Sequence, residues 1–293
     1  MKLKYTTKLF IVVNLIVLTF RTLQIILLTE SNTAFLIDGF WPKAFDIAGS
    51  VLVVLSLTAL FSNSAQAVRQ PVRINCKGVP SVVVSAVTGV AFLIVGLVSY
   101  KTLLHGNAVV LTLALLSTVG CVLMAVSAIT GKPFFKAVAL PFIGYWLAEF
   151  VLSYLYYTEH PLRVRTVYEV FAIIFTVLFF VTFGKAVSGV KPEKSFRRIY
   201  PLGLTASALC MASVVPETLA KIFGHSDKVA ESAVMPLALI AAALFTGFFT
   251  INTFKKSNTV HPRKKKKTEQ EARLRHEAAE PVSDSAEPDN TDI

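Results

Sequence analysis

The sequence predicts an all-α fold: a polytopic membrane helical bundle of about eight transmembrane helices. Three observations carry that prediction. Of 293 residues, 54% are hydrophobic and only 16% are charged, far from the balance of ordinary soluble domains. The apolar residues gather into runs long enough to cross roughly 30 Å of hydrocarbon at about 1.5 Å per helical residue. The loops between those runs are alternately rich and poor in Lys and Arg. A soluble domain built from such runs would have no polar face to present to water.

The runs are read at 9–28, 44–61, 80–99, 108–130, 136–157, 166–188, 200–222 and 233–254. The first follows a basic start with Lys2, Lys4 and Lys8. It is too long for the apolar core of a cleaved leader and lacks a small-residue cleavage site, so it reads as a retained helix. The second is short for a span. The fifth ends in Tyr154, Tyr156 and Tyr157, the composition of an interfacial aromatic belt. The seventh holds Pro216 beside Glu217, a placement that can break a helix and free a carbonyl, as in transporter sites. Beyond 254 the chain turns polar. Its acidic end lacks the apolar content to fold alone, and 268–280 reads as a short salt-bridged helix.

Two four-helix units, 1–132 and 133–254, followed by a cytoplasmic tail at 255–293, form the expected organisation. Lys8 precedes Arg21 by the same interval as Lys136 precedes Glu149, and both stretches run out to a Thr-Glu pair, Thr29-Glu30 and Thr158-Glu159. Two copies with an even number of spans share one orientation, so a 4+4 repeat would be parallel, with its axis along the membrane normal.

Charge sets the orientation. Lys2, Lys4, Lys8, Arg69, Arg73, Lys77, Lys132, Lys136, Lys185, Lys191, Lys194, Arg197 and Arg198 fall on one side; Lys43, Lys101, Arg163, Arg165, Lys221 and Lys228 fall on the other. The richer side is cytoplasmic by the positive-inside rule. Both termini are therefore expected inside, in a plasma membrane. The net charge of +11 reflects this bias and does not point to nucleic acid, because no aromatic residues interleave with the lysines. In the tail, Lys255, Lys256 and the run Arg263, Lys264, Lys265, Lys266 and Lys267 suit anionic lipid headgroups, with stop-transfer anchoring as the ordinary role.

Ionisable groups within spans are costly and are default candidates for function. Arg21, Asp46, Glu149, Glu169 and Glu217 all map to the outer half; from Lys8 to Arg21 the rise is about 20 Å. Asp46 and Glu169 are secondary candidates, since an acid at a helix start also complements the helix dipole. Arg21 has two structural alternatives, snorkelling to the headgroups or a salt bridge to Glu149. The functional alternative is a substrate or proton site. Asn14, Arg21 and Gln24 share a face of the first helix, and Tyr145, Trp146 and Glu149 form a matching stripe on the fifth. Trp146 is suited to stack on a ligand, although filling a helix interface is the commoner use of such a residue.

Chemistry is otherwise sparse. Cys76, Cys121 and Cys210 form no CxxC pair, and His105, His160 and His225 fall in predicted loops. No metal site or cofactor is expected, and no hydrolase or nucleotide-binding motif is present. The expected function is that of a small-solute permease or membrane binding component with an outer polar pocket and no catalytic activity. A non-catalytic accessory subunit held by internal salt bridges is the first alternative. An intramembrane lipid-modifying enzyme is the second.

Overall fold

In the computed structural model, the described residues are 3–30, 39–67, 78–102, 108–130, 139–159, 164–188, 190, 192–225 and 234–257. They form eight helices: α1 (Leu3–Leu28), α2 (Phe40–Ala67), α3 (Val79–Thr102), α4 (Ala108–Thr130), α5 (Ala139–Glu159), α6 (Val164–Val187), α7 (Pro192–Ile222) and α8 (Val234–Ser257). Seven contain segments long and apolar enough to cross a membrane; the apolar stretch of α5, Ala139–Tyr154, is shorter. The molecule is thus all-helical and compatible with a multi-pass membrane protein.

Two expectations about helix limits change. The second span is not short, because α2 begins at Phe40 and runs to Ala67. α7 starts two turns earlier than the apolar run, since Pro192 suits the first helical position, where a missing N–H costs nothing. It then continues through Pro201 and Pro216 to Ile222, so Pro216 does not break it. The helix ends on Gly224 (φ +84°). Gly224 N–H bonds the Lys221 carbonyl at 3.1 Å and His225 N–H bonds the Ala220 carbonyl at 2.9 Å, the paired closure that needs a left-handed residue.

Contacts fix the directions. Gly89 approaches Cys121 and Gly96 approaches Ala114, so α3 and α4 are antiparallel. Phe142 stacks on Phe180 at 4.8 Å and Gly184 meets Ala139, which makes α5 and α6 antiparallel. The Ser207 hydroxyl donates to the Ala243 carbonyl at 2.9 Å, while Gly203 abuts Thr250, giving the same relation for α7 and α8. α1 and α7, by contrast, run parallel. Thr7 hydrogen-bonds Tyr200 near their starts, and Ile25 packs with Ala220 near their ends. The end reached by the C-termini of α1, α5 and α7 is called the distal end below.

An aromatic core joins α3, α5, α6 and α8 through Phe92, Phe142, Phe180, Phe183, Phe245 and Phe249. α7 is the most enclosed span and α2 the least. The apolar faces of α1 to α4 are broadly exposed, as a hydrocarbon solvent permits. The chain divides into two compact units, Met1–Phe254 and Lys255–Ile293. Arg263, Lys264, Lys265, Lys266, Lys267 and the segment 268–280 lie outside the described residues.

Candidate functional site

Arg21 is the centre of the distal layer. Val17, Arg21, Gln24 and Ile25 are buried together on one face of α1, as spacings of three, four and seven require. Arg21 is only 7% exposed, so it does not snorkel. Its guanidinium donates to the Gln24 side-chain oxygen at 2.8 Å and lies 5.0 Å from the centre of the Tyr168 ring on α6. Such a cation over an aromatic face is worth about 2 kcal/mol when desolvated. Gly49 of α2 faces the Tyr168 hydroxyl, where an added methyl group would sit 3.9 Å away. A small residue there lets α1, α2 and α6 meet around the ring.

The acids follow from helix register. Arg21 lies four residues before Ile25, and Glu217 three before Ala220, the pair that packs α1 on α7. Arg21 and Glu217 therefore stand at one level of two adjoining parallel helices. Glu217 and Glu169 are both 8% exposed. Helix dipole capping does not account for Glu169 or Asp46, because neither α6 nor α2 has an acid in its first turn. Glu149 is half-buried, with Tyr145 one turn away and Glu169 across the α5–α6 contact as its electrostatic neighbours. Arg21 meets Gln24 and Tyr168, and the electrostatic neighbours of Glu149 are Tyr145 and Glu169.

The remaining candidates divide. Tyr145 and Trp146 are fully enclosed, with ring centres 5.2 Å apart. The Tyr145 hydroxyl lies beside the Glu149 side chain, and the Trp146 indole N–H has no acceptor among the described residues. Ser213, one turn inward of Glu217, also has a buried hydroxyl with no partner among them. Asn14 does not join the layer, since its amide donates to the Phe10 carbonyl at 2.7 Å. Asp46 lies in α2, and its side chain is outside the described ones.

Tyr168, Ser213 and Gly49 belong to this layer but were not singled out by the sequence. The one available signal was the position of Tyr168 next to Glu169. No group of three His, Cys, Asp or Glu among the described residues is arranged to hold a metal ion. What the layer offers is three carboxylates, one buried cation, and neutral hydrogen-bonding groups in an apolar surround. Comparison with protein-family models, curated proteins and solved structures gives no match.

Proposed function

We propose that this chain is a membrane permease or binding component for a small solute, with its polar pocket in the distal layer of α1, α5, α6 and α7. The observation that carries the reading is the buried Arg21, held by Gln24 and covered by Tyr168, in the layer that holds Glu149, Glu169 and Glu217. Desolvating this many ionisable groups is expensive unless they act together. Arg21 neutralises part of the carboxylate charge, and Glu217 is the coupling or cation-binding carboxylate. No catalytic activity is part of this reading. The positive-inside charge bias supports a plasma-membrane protein with both termini cytoplasmic, which puts the layer on the outer side. Eight spans, a 4+4 parallel repeat and anionic lipid contact at 263–267 complete the proposal, on sequence grounds.

A ligand-library thermal-shift screen on the purified protein, repeated on Glu217→Gln, tests it. The expected outcome is a small solute that raises Tm in the wild type and loses its effect in the variant. A screen in which nothing shifts the wild type overturns the reading. The second reading, a structural or accessory subunit, is favoured by the fact that Arg21 is already satisfied within the fold. It predicts destabilised single variants and no ligand.

A further inference from the structure

α3 makes two seams with its neighbours, and they differ in how their polar groups are met. Along α4, Gly89 and Gly96 bring the helices so close that an added methyl group would stand 3.0 Å from the Cys121 side chain and 2.8 Å from that of Ala114. The Thr118 hydroxyl crosses this seam to the Gly89 carbonyl at 3.2 Å. The inward stripe of α3 is Ser81, Ser85, Thr88, Phe92 and Val95, all buried at spacings of three and four that keep them on one face. This stripe meets α5 through the Phe92 ring, whose centre is 5.0 Å from that of Tyr145, 5.5 Å from Phe142 and 6.4 Å from Trp146. Buried polar atoms without partners collect along this second seam. They are the Ser85 and Thr88 hydroxyls and the Trp146 indole N–H, in residues no more than 1% exposed. Thr176, Thr205 and Thr246, equally buried, each bond the carbonyl four residues back. Ser85 and Thr88 forgo that bond, so their hydroxyls are not committed to the backbone of α3. A dry hydroxyl or indole without a partner disfavours the closed arrangement, and water that reaches it supplies the missing bond. Parting α3 from α5 therefore relieves three groups, whereas parting α3 from α4 breaks close packing and a hydrogen bond.

We propose that α3 and α4 move as one unit and that the seam between α3 and α5 opens, admitting water to a cleft lined by Ser85, Thr88 and Trp146. Phe92 is the barrier where the cleft ends. α1, α5 and α7 all finish at the distal end, so a chain that crosses at every helix begins α3 at the opposite end, and Ser85 is met before Thr88 and Phe92 on the way in. The cleft and the distal layer then lie on either side of the Phe92 contacts with α5. Under the solute-binding reading this seam is the second of the two mouths that alternating access requires. The seam itself is argued from neutral groups and from packing, and it opens whether or not a solute is bound.

The test needs no solute. The full-length chain, held in lipid nanodiscs so that both faces meet the reagent, carries Cys76→Ser and either Ser85→Cys or Thr88→Cys. A small charged methanethiosulfonate is applied under native conditions, and each thiol is followed by mass spectrometry. The introduced thiols are expected to react roughly tenfold or more faster than Cys121 and Cys210, which are buried in α4 and α7, with Ser85→Cys the faster of the two. Reaction of the introduced thiols only on denaturation, together with Cys121 and Cys210, overturns the proposal. Where an introduced cysteine unfolds the chain, Cys121 and Cys210 react as well, and a second measurement decides. Trp41→Phe, at an exposed position, leaves Trp146 as the one tryptophan. Iodide, which travels only through water, should quench its fluorescence, and several-fold less once Ser85→Ala and Thr88→Val remove the groups that favour opening. A Trp146 that iodide never reaches, or reaches equally with and without those two hydroxyls, overturns the seam. Either failure leaves the library screen to decide solute binding on its own.

Discussion

At the scale of single residues, Arg21 is the one buried Lys or Arg among the described residues. A buried cation that loses its partners, or a carboxylate that loses its cation, costs about 3–5 kcal/mol. Arg21→Gln is therefore expected to lower Tm of the purified protein by roughly 8 °C. Glu217 shares its level on α7, so Arg21→Gln with Glu217→Gln should recover at least half of that loss. Strict additivity in this double-mutant cycle would show that the two groups do not sense each other. The ring of Tyr168 gives a separate test of the same cation. Tyr168→Phe keeps the aromatic face and should change Tm little. Tyr168→Leu removes it and should cost about 1–2 kcal/mol. Equal effects of the two would assign the role to the hydroxyl instead.

At the scale of elements, the helices are set by close approaches that the apolar pattern does not encode. A methyl group added at Gly203 of α7 would collide with the Thr250 hydroxyl oxygen and lie 2.9 Å from the Phe179 ring. α6, α7 and α8 therefore meet at one glycine. Gly203→Ala should cost about 2 kcal/mol by overpacking, with partial recovery when Thr250→Ala is added, since the Thr250 oxygen has no partner to lose. Gly224→Ala is a contrasting case. Nothing lies within 4 Å of the added methyl, so its cost of about 1 kcal/mol comes from the left-handed backbone alone, and no second-site truncation should relieve it. A thermal-melt comparison of the single and double variants separates the two causes. The sequence located all eight helices because hydropathy reports length. It missed the first turns of α7 because residues 193–198 carry Glu193, Lys194, Arg197 and Arg198, which an apolar window rejects although Pro192 starts the helix well.

For the molecule as a whole, depth along the bundle was legible in the sequence and rotation about each helix axis was not. Rise per residue alone puts Arg21, Glu149 and Glu217 in one layer. A helix that is apolar all round gives little sign of which face meets which neighbour, so Glu149 was an obvious partner for Arg21 while Tyr168 passed unnoticed. Orientation is a third property, and the contacts leave it free, because a bundle turned end over end keeps every one of them. Only the Lys and Arg bias bears on it, and under the proposed orientation the loop after α2 would lie inside the cell. The native cysteines can read this out without substitution. Cys121 and Cys210 are buried within α4 and α7, where a charged reagent has no route to them, whereas Cys76 belongs to the loop sequence between α2 and α3. A membrane-impermeant maleimide applied to intact cells should leave all three unlabelled. After permeabilisation Cys76 should react, with Cys76→Ser removing the signal, and Cys121 and Cys210 should follow only on denaturation. Labelling of Cys76 in intact cells would invert the bundle and turn the Arg21 layer toward the cytoplasm, so that any solute it binds would be met from inside.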